Sequence, residues 1–423
     1  MSTTPRLAID GGTPVRTSMP NYSKGAGALG DEERKAVLEV LDSRRLFRYQ
    51  GPKPLSKVSS FEADVCEVLG VPHAVATSSG TAALRTALAA LGVGCGDEVI
   101  VPAVTFIATI NAVVISGALP VFADVDESLN IDPKDVESKI SDRTTALLPV
   151  HLENVACAMD PILDVARRKG IPVLEDSAQS MGATYNGRAL GTLGDMGIFS
   201  LQMEKTITAG EGGVVVTARE DLFARAARYQ DQGGQFFTSH GGGRGGELAE
   251  SFVGENLRMT EIAGAIAGVQ LGRLPGLLDA MRTNKAHIVD SVGEIAGMQR
   301  RLVHDPAGDG SSSITWFLPS ADTAQRFVSA LLAEGVPSVQ MYAGKPVYAT
   351  ASILERRTAS GKGGPWNCAE HPAGISYRMG MCPRAEDLIA RSVTVGVGPC
   401  YAESDCEDVA EAIHKVAAHL LPQ

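Results

Sequence analysis

From His73 to Glu175 the chain repeats one pattern: a short apolar run, a small or polar residue, then a stretch with helical spacing. The runs are HAVAT (73–77), Glu98–Val101, Leu119–Phe122, Ala146–Val150 and Pro172–Glu175, and between them lie AALRTALAAL (82–91), Thr105–Ser116 and Pro161–Lys169. Continuous apolar runs too short for helices are strands buried on both faces, and helices between them make crossover connections. The pattern therefore predicts an α/β fold on a mainly parallel sheet flanked by helices. In such a sheet, ligands bind where the strands end at their carboxyl side.

The residues at those ends carry the chemistry. After HAVAT come Ser79, Gly80 and Thr81 at the start of a helix. Free N–H groups and the helix dipole make that position a phosphate cradle, although a plain capped helix has the same letters. Phe106 follows EVIVPA and offers a ring for stacking on a flat ligand, or a core side chain. His151 follows LLPV, where a histidine contacts a ligand or serves the core. Asp176 ends IPVLE, and a carboxylate buried there needs a cation.

Lys205 lies in FSLQMEKTITAGEGG (199–213), between an apolar run and the cluster Gly210, Gly212, Gly213. A shielded lysine loses its proton more easily than its ordinary pKa of about 10.4 allows, and a free lone pair can form a Schiff base. Lysine, unpaired aspartate 29 positions earlier, phosphate cradle and a ring at a neighbouring strand end together fit pyridoxal 5'-phosphate, which has an aldehyde, a ring nitrogen, a phosphate and a flat ring.

Composition narrows the class. With 38 basic and 49 acidic residues the net charge is −11, which argues against nucleic acid as partner. Seven scattered cysteines without a CxxC pair suggest reduced thiols, no metal site and a cytoplasmic protein. Neither a signal peptide nor an apolar run of about 18 residues stands out, so no membrane partner is expected.

In their order, these residues resemble the DegT/StrS family of sugar aminotransferases within the fold-type I pyridoxal phosphate enzymes, the aspartate aminotransferase superfamily. The resemblance runs nearly end to end, through GGTPVR, SSGTAAL, GDEVIVPAVTFIAT, VFADVD, NIDP, LEDSAQ, GDMGIFSLQMEKTITAGEGG and ENLRMTEI. It implies an N-terminal arm (1–30), a large cofactor-binding domain (31–280) and a smaller α+β domain (281–423). It also implies that Lys205 forms the Schiff base and moves the proton, and that Asp176 pairs with the ring nitrogen. Gln179 would sit near the phenolic oxygen, Phe106 would stack, and Ser79, Gly80, Thr81 and Ser200 would hold the phosphate. Asn256 would join them from a partner subunit, making the active unit a homodimer with shared sites.

The implied reaction moves an amino group from L-glutamate or L-glutamine to a ketone of a sugar or cyclitol, in amino-sugar or antibiotic biosynthesis. Dehydration, decarboxylation or epimerisation on the same cofactor is the rival reading. Sugar dehydratases resembling this family have histidine in place of the lysine, so Lys205 favours transamination. A noncatalytic cofactor-binding protein is a third reading that no basic patch supports. The chain departs from the family at Glu153-Asn154, where Asn can take the positive φ of the usual glycine, at Glu204, and at GVGPCY (396–401). Glu153 and His151 are the candidate substrate contacts. Gly233–Gly246, rich in glycine and aromatic residues, suggests a lid.

Overall fold

The computed structural model describes residues 5–20, 23–50, 55–234, 251–371 and 376–422. Helices Asp31–Ser43 (α1) and Lys57–Leu69 (α2) precede the repeating unit. The unit then runs β1 (His73–Thr77), α3 (Gly80–Leu91), β2 (Glu98–Pro102), α4 (Ile107–Ile115), β3 (Leu119–Ala123), α5 (Pro133–Lys139), β4 (Thr144–Leu147), α6 (Met159–Lys169) and β5 (Leu174–Asp176). Strands β6 (Met196–Ser200) and β7 (Gly213–Thr217) complete it.

Hydrogen bonding gives the orders β1-β7-β6-β5 and β3-β2-β4, and isolated parallel bridges Leu147 to Val173 and Val150 to Asp176 join the two groups. Within these groups β2 runs parallel to β3 and β4, and β5 parallel to β6. Strand β7 is antiparallel to both neighbours. The cause is local. Residues 201–212 join β6 to β7 without a helix, so the chain turns back instead of crossing over. Lys205 rides on that turn, at the edge where β1, β2, β5 and β6 all end.

Alternation along β7 explains how the layers stack. Val214 and Val216 pack with Phe61, Leu271 and Met281 on one face, whereas Val215 packs with Leu84 and Leu88 of α3 on the other. Helix α7 (Glu261–Val292) packs against α1 and α2. The spacing suggests a helix over 260–271 and a separate link after Pro275, yet the helix is continuous. Pro275 removes one backbone donor, and the long contact with α2 carries the helix through. The sequence also suggests a serine-capped helix over 60–69, yet α2 starts at Lys57, because Ser56 Oγ accepts the Ser59 N–H at 3.1 Å.

A second, antiparallel sheet takes the order Gln299–Arg300, Ser313–Phe317, Ser392–Gly396, Ser338–Val339. Trp316, Phe327, Val393 and Ile413 form its core. One expectation about the cysteines fails: Cys95 and Cys368, 273 residues apart, stand as a disulfide, because the segment before His371 folds back to the loop that precedes β2. The expected lid over 233–246 lies, from residue 235 on, outside the described residues. Among the described residues no helix is long and apolar enough to cross a membrane.

Candidate active site

The strand ends converge on a cavity of about 540 Å³. Ser79, Gly80, Thr81, Phe106, Asp176, Gln179, Ser200 and Lys205 all line it, along with Thr109, Glu153 and Tyr342. At one end stands the start of α3. Ser79 Oγ caps the helix by accepting the Ala82 N–H at 3.1 Å, which leaves the Gly80 and Thr81 amides without intrahelical acceptors. Glycine is required there. A Cβ on Gly80 would lie 2.7 Å from Ser200 Cβ, and one on Gly213 would lie 2.3 Å from the Ser79 carbonyl oxygen. Missing side chains thus let β6 and β7 press against the first turn of α3.

Asp176 forms the floor. It is 3% exposed, and its carboxylate accepts from Thr109 Oγ1 at 2.8 Å and from the Ala178 N–H at 3.1 Å. Burial raises its pKa despite these bonds. Two neutral donors do not compensate a buried charge, so the site is built for a cationic group at this point. Thr109 is a residue that sequence reasoning missed; α4 brings it under the carboxylate, and Thr105 Oγ1 steadies it at 2.9 Å.

Lys205 is half-buried rather than enclosed, and faces the cavity. Burial lowers the pKa of its amine; the Glu153 carboxylate pulls the other way, and Lys24 adds to the lowering. Phe106 is 55% exposed, which rules out the core alternative and leaves its ring at the cavity wall.

A second cavity of about 410 Å³ adjoins the first and shares Glu153, Gln179, Glu204, Lys205 and Tyr342 with it. Lys24, Ser312, Ser338 and Thr394 are among its other walls. Glu153 and Asn154 have φ of 53° and 66°, so the left-handed turn expected at Asn154 forms and extends to Glu153. This turn aims the Glu153 N–H at Gln179 Oε1, 2.9 Å away. Gln179 Nε2 in turn donates to the Tyr342 hydroxyl at 3.3 Å. Tyr342 was not legible in sequence: 163 positions separate it from Gln179, and it is held in a left-handed conformation at φ 48°. Burial pushes its phenol well above the ordinary range.

Two candidates fall elsewhere. His151 is fully buried and lines neither cavity; its Nε2 lies 2.9 Å from Glu175 Oε2, and its Nδ1 accepts the Cys157 N–H at 3.1 Å. Direct substrate contact through that ring is thus replaced by a core role. Asn256 is exposed, outside both cavities, and bridges Asp231 along the backbone.

An amine with lowered pKa, a buried carboxylate with no ion-pair partner among the described residues, helix-start amides without intrahelical acceptors and an exposed ring fit a flat ligand with a carbonyl, a cationic ring nitrogen and a phosphate. Known proteins agree. Residues 28–362 match the DegT/DnrJ/EryC1/StrS aminotransferase family. The L-glutamine:2-deoxy-scyllo-inosose aminotransferase of Streptomyces paromomycinus is 33% identical over 426 residues, 98% of each chain. The GDP-perosamine synthase of Caulobacter vibrioides is 40% identical over 259 residues, covering 61% of this chain and 66% of its own. In structure, E. coli GDP-4-keto-6-deoxy-D-mannose-3-dehydratase with bound hydrated pyridoxal phosphate has a TM-score of 0.79 at 25% identity, covering 93% of this chain and all of the other.

Proposed function

This chain belongs to the DegT/DnrJ/EryC1/StrS aminotransferase family and uses pyridoxal phosphate, and from that premise we propose how its residues divide the work and what they act on. The observation that carries the proposal is that Lys205 and Asp176 face one cavity whose far end is the start of α3. When bound, pyridoxal phosphate supplies an aldehyde that takes up amino groups and a ring that accepts electrons from the adjoining carbon. Asp176 holds the proton on the ring nitrogen. The Gly80 and Thr81 amides, with Ser79 and Ser200, bind the phosphate; Phe106 stacks and Gln179 sits near the phenolic oxygen. Lys205 Nζ would hold the cofactor's aldehyde end and would move a proton at the amino-bearing carbon of the substrate.

The second cavity receives donor and acceptor in turn. Its described walls include Glu153 and Glu204 against Lys24, with no arginine to neutralise a diphosphate. That charge pattern, and the full-length similarity to glutamine:inosose enzymes, favour L-glutamine as donor and a keto-cyclitol or unlinked ketosugar as acceptor. Lysine at position 205 favours transamination over dehydration. The working unit is a cytoplasmic homodimer in which Asn256 completes the phosphate site of its partner. An arm (1–30), a large domain (31–280) and a small domain (281–423) make up each subunit.

The test is two half-reactions followed separately. L-Glutamine should bleach the absorbance of the loaded protein, and an inosose added next should restore it while exchanging a ketone oxygen for an amino group in the product mass. An unchanged spectrum with glutamine and glutamate, or loss of water as the product change, would contradict the proposal.

A further inference from the structure

Far from this site, the loop before β2 meets the segment that follows Gly364–Asn367. Sγ of Cys95, Sγ of Cys368 and a ring nitrogen of His371 lie within 4.8 Å of one another. The sulfurs stand as a disulfide, with Cα atoms 7.0 Å apart. Glu370 Oε2, however, lies 2.7 Å from Cys368 Sγ and 3.5 Å from Cys95 Sγ. A thiol could donate to that carboxylate, but a disulfide sulfur has no proton to give. The carboxylate oxygen thus stands beside both sulfurs.

His371 provides an independent sign. It is 7% exposed, and its Nδ1 is buried with no hydrogen-bond partner among the described residues. Its Nε2 lies 3.3 Å from the Gly117 carbonyl oxygen and 3.3 Å from the Gly96 nitrogen, so the tautomer with Nε2–H donates to Gly117 and the other accepts from Gly96. An imidazole that ligates through one nitrogen and donates the other N–H to a backbone carbonyl is the usual arrangement at a metal. Cys368 and His371 are three positions apart, a spacing that lets one short segment give two ligands.

The geometry points to a divalent, thiophilic metal site, for Zn²⁺, formed by Cys95 Sγ, Cys368 Sγ, Glu370 and a ring nitrogen of His371. Two thiolates, an imidazole and a carboxylate make a tetrahedral zinc set, and thiolates on such an ion stand about 3.8 Å apart at Zn–S distances of about 2.3 Å. The disulfide is the oxidised, metal-free form of the same pair. Reduction by a phosphine and one water breaks the S–S bond, giving two thiols and a phosphine oxide; Zn²⁺ then displaces both thiol protons. The site ties the 364–371 segment to the loop at 94–96 and leaves the lysine cavity untouched.

The experiment uses untagged, cofactor-loaded protein, reduced with a phosphine, freed of metal and titrated with Zn²⁺ against a chromophoric chelator. One equivalent should bind, and Co²⁺ in its place should give thiolate-to-metal absorption. Cys368→Ser and His371→Ala should each weaken Zn²⁺ binding by roughly 100-fold or more, while Cys400→Ser, at an exposed cysteine outside the cluster, should bind as the parent does. Cofactor absorbance in every variant reports that the chain is folded. No binding by the reduced parent, a Co²⁺ spectrum without thiolate bands, or equal binding by parent and Cys368→Ser would each overturn the site.

Discussion

Replacing Asp176 by Asn separates its charge from its shape. Both hydrogen bonds survive the exchange. The amide oxygen keeps the Ala178 N–H, and the Thr109 hydroxyl, 2.9 Å from Thr105 Oγ1, can turn to accept from the amide nitrogen and donate to Thr105. Only the charge is lost, and its effect has opposite signs in the two states of the protein. In the empty protein, burial raises the carboxyl pKa, so the folded state binds that proton more tightly than the unfolded one. Ionisation then opposes folding, and stability falls as pH rises from the ordinary carboxylate range through the raised value. Asp176→Asn should therefore leave the empty protein as stable as the parent or more so at neutral pH, and lose any advantage in acid.

In the loaded protein the same exchange removes the partner of a ring cation. An ion pair at about 4 Å in an effective dielectric near 20 is worth about 4 kcal/mol, and deleting one member of a buried pair costs upwards of about 2 kcal/mol. Cofactor affinity should fall by roughly 30- to 1000-fold. Thermal unfolding of empty protein across pH, beside absorbance titration with pyridoxal phosphate, measures both effects. A variant that binds cofactor within about threefold of the parent, or whose empty form is clearly less stable at neutral pH, would refute the reasoning.

Gly80→Ala should place a methyl 2.7 Å from Ser200 Cβ; overpacking of that kind costs about 1–3 kcal/mol, and Ser200→Gly in the same chain should recover most of the lost Tm. Burial raises the Glu33 pKa, but bonds from Arg273, Gln270 and the Gly30 N–H outweigh it and bring the group down to about 2. The stability it contributes is present above the ordinary carboxylate pKa and lost as pH falls toward about 2, so Glu33→Gln should cost about 1–3 kcal/mol at neutral pH and progressively less in acid unfolding.

What the sequence revealed was local. Apolar runs ending in Ser79, Phe106, Asp176 and Ser200 mark both strands and site, because a parallel sheet places its carboxyl ends together whatever the rest of the chain does. What it concealed depends on distant partners. His151 looks like any strand-end histidine until Glu175 reaches it, and Glu175 is held by the N–H groups of Gly191, Leu193 and Gly194. Tyr342 and Thr109 join the cavity only once the second sheet and α4 are in place. The antiparallel β7 follows from a missing helix, which a reading by apolar runs passes over. Cys95 and Cys368 carry no mark of their 273-residue contact.

The position of one reactive amine is the claim on which the site rests. Reducing the loaded protein with borohydride, digesting it and weighing the peptides should put the cofactor-derived mass on Lys205 and on no other lysine. Label at Lys24 or another lysine, or a Lys205 peptide of unchanged mass, would contradict it.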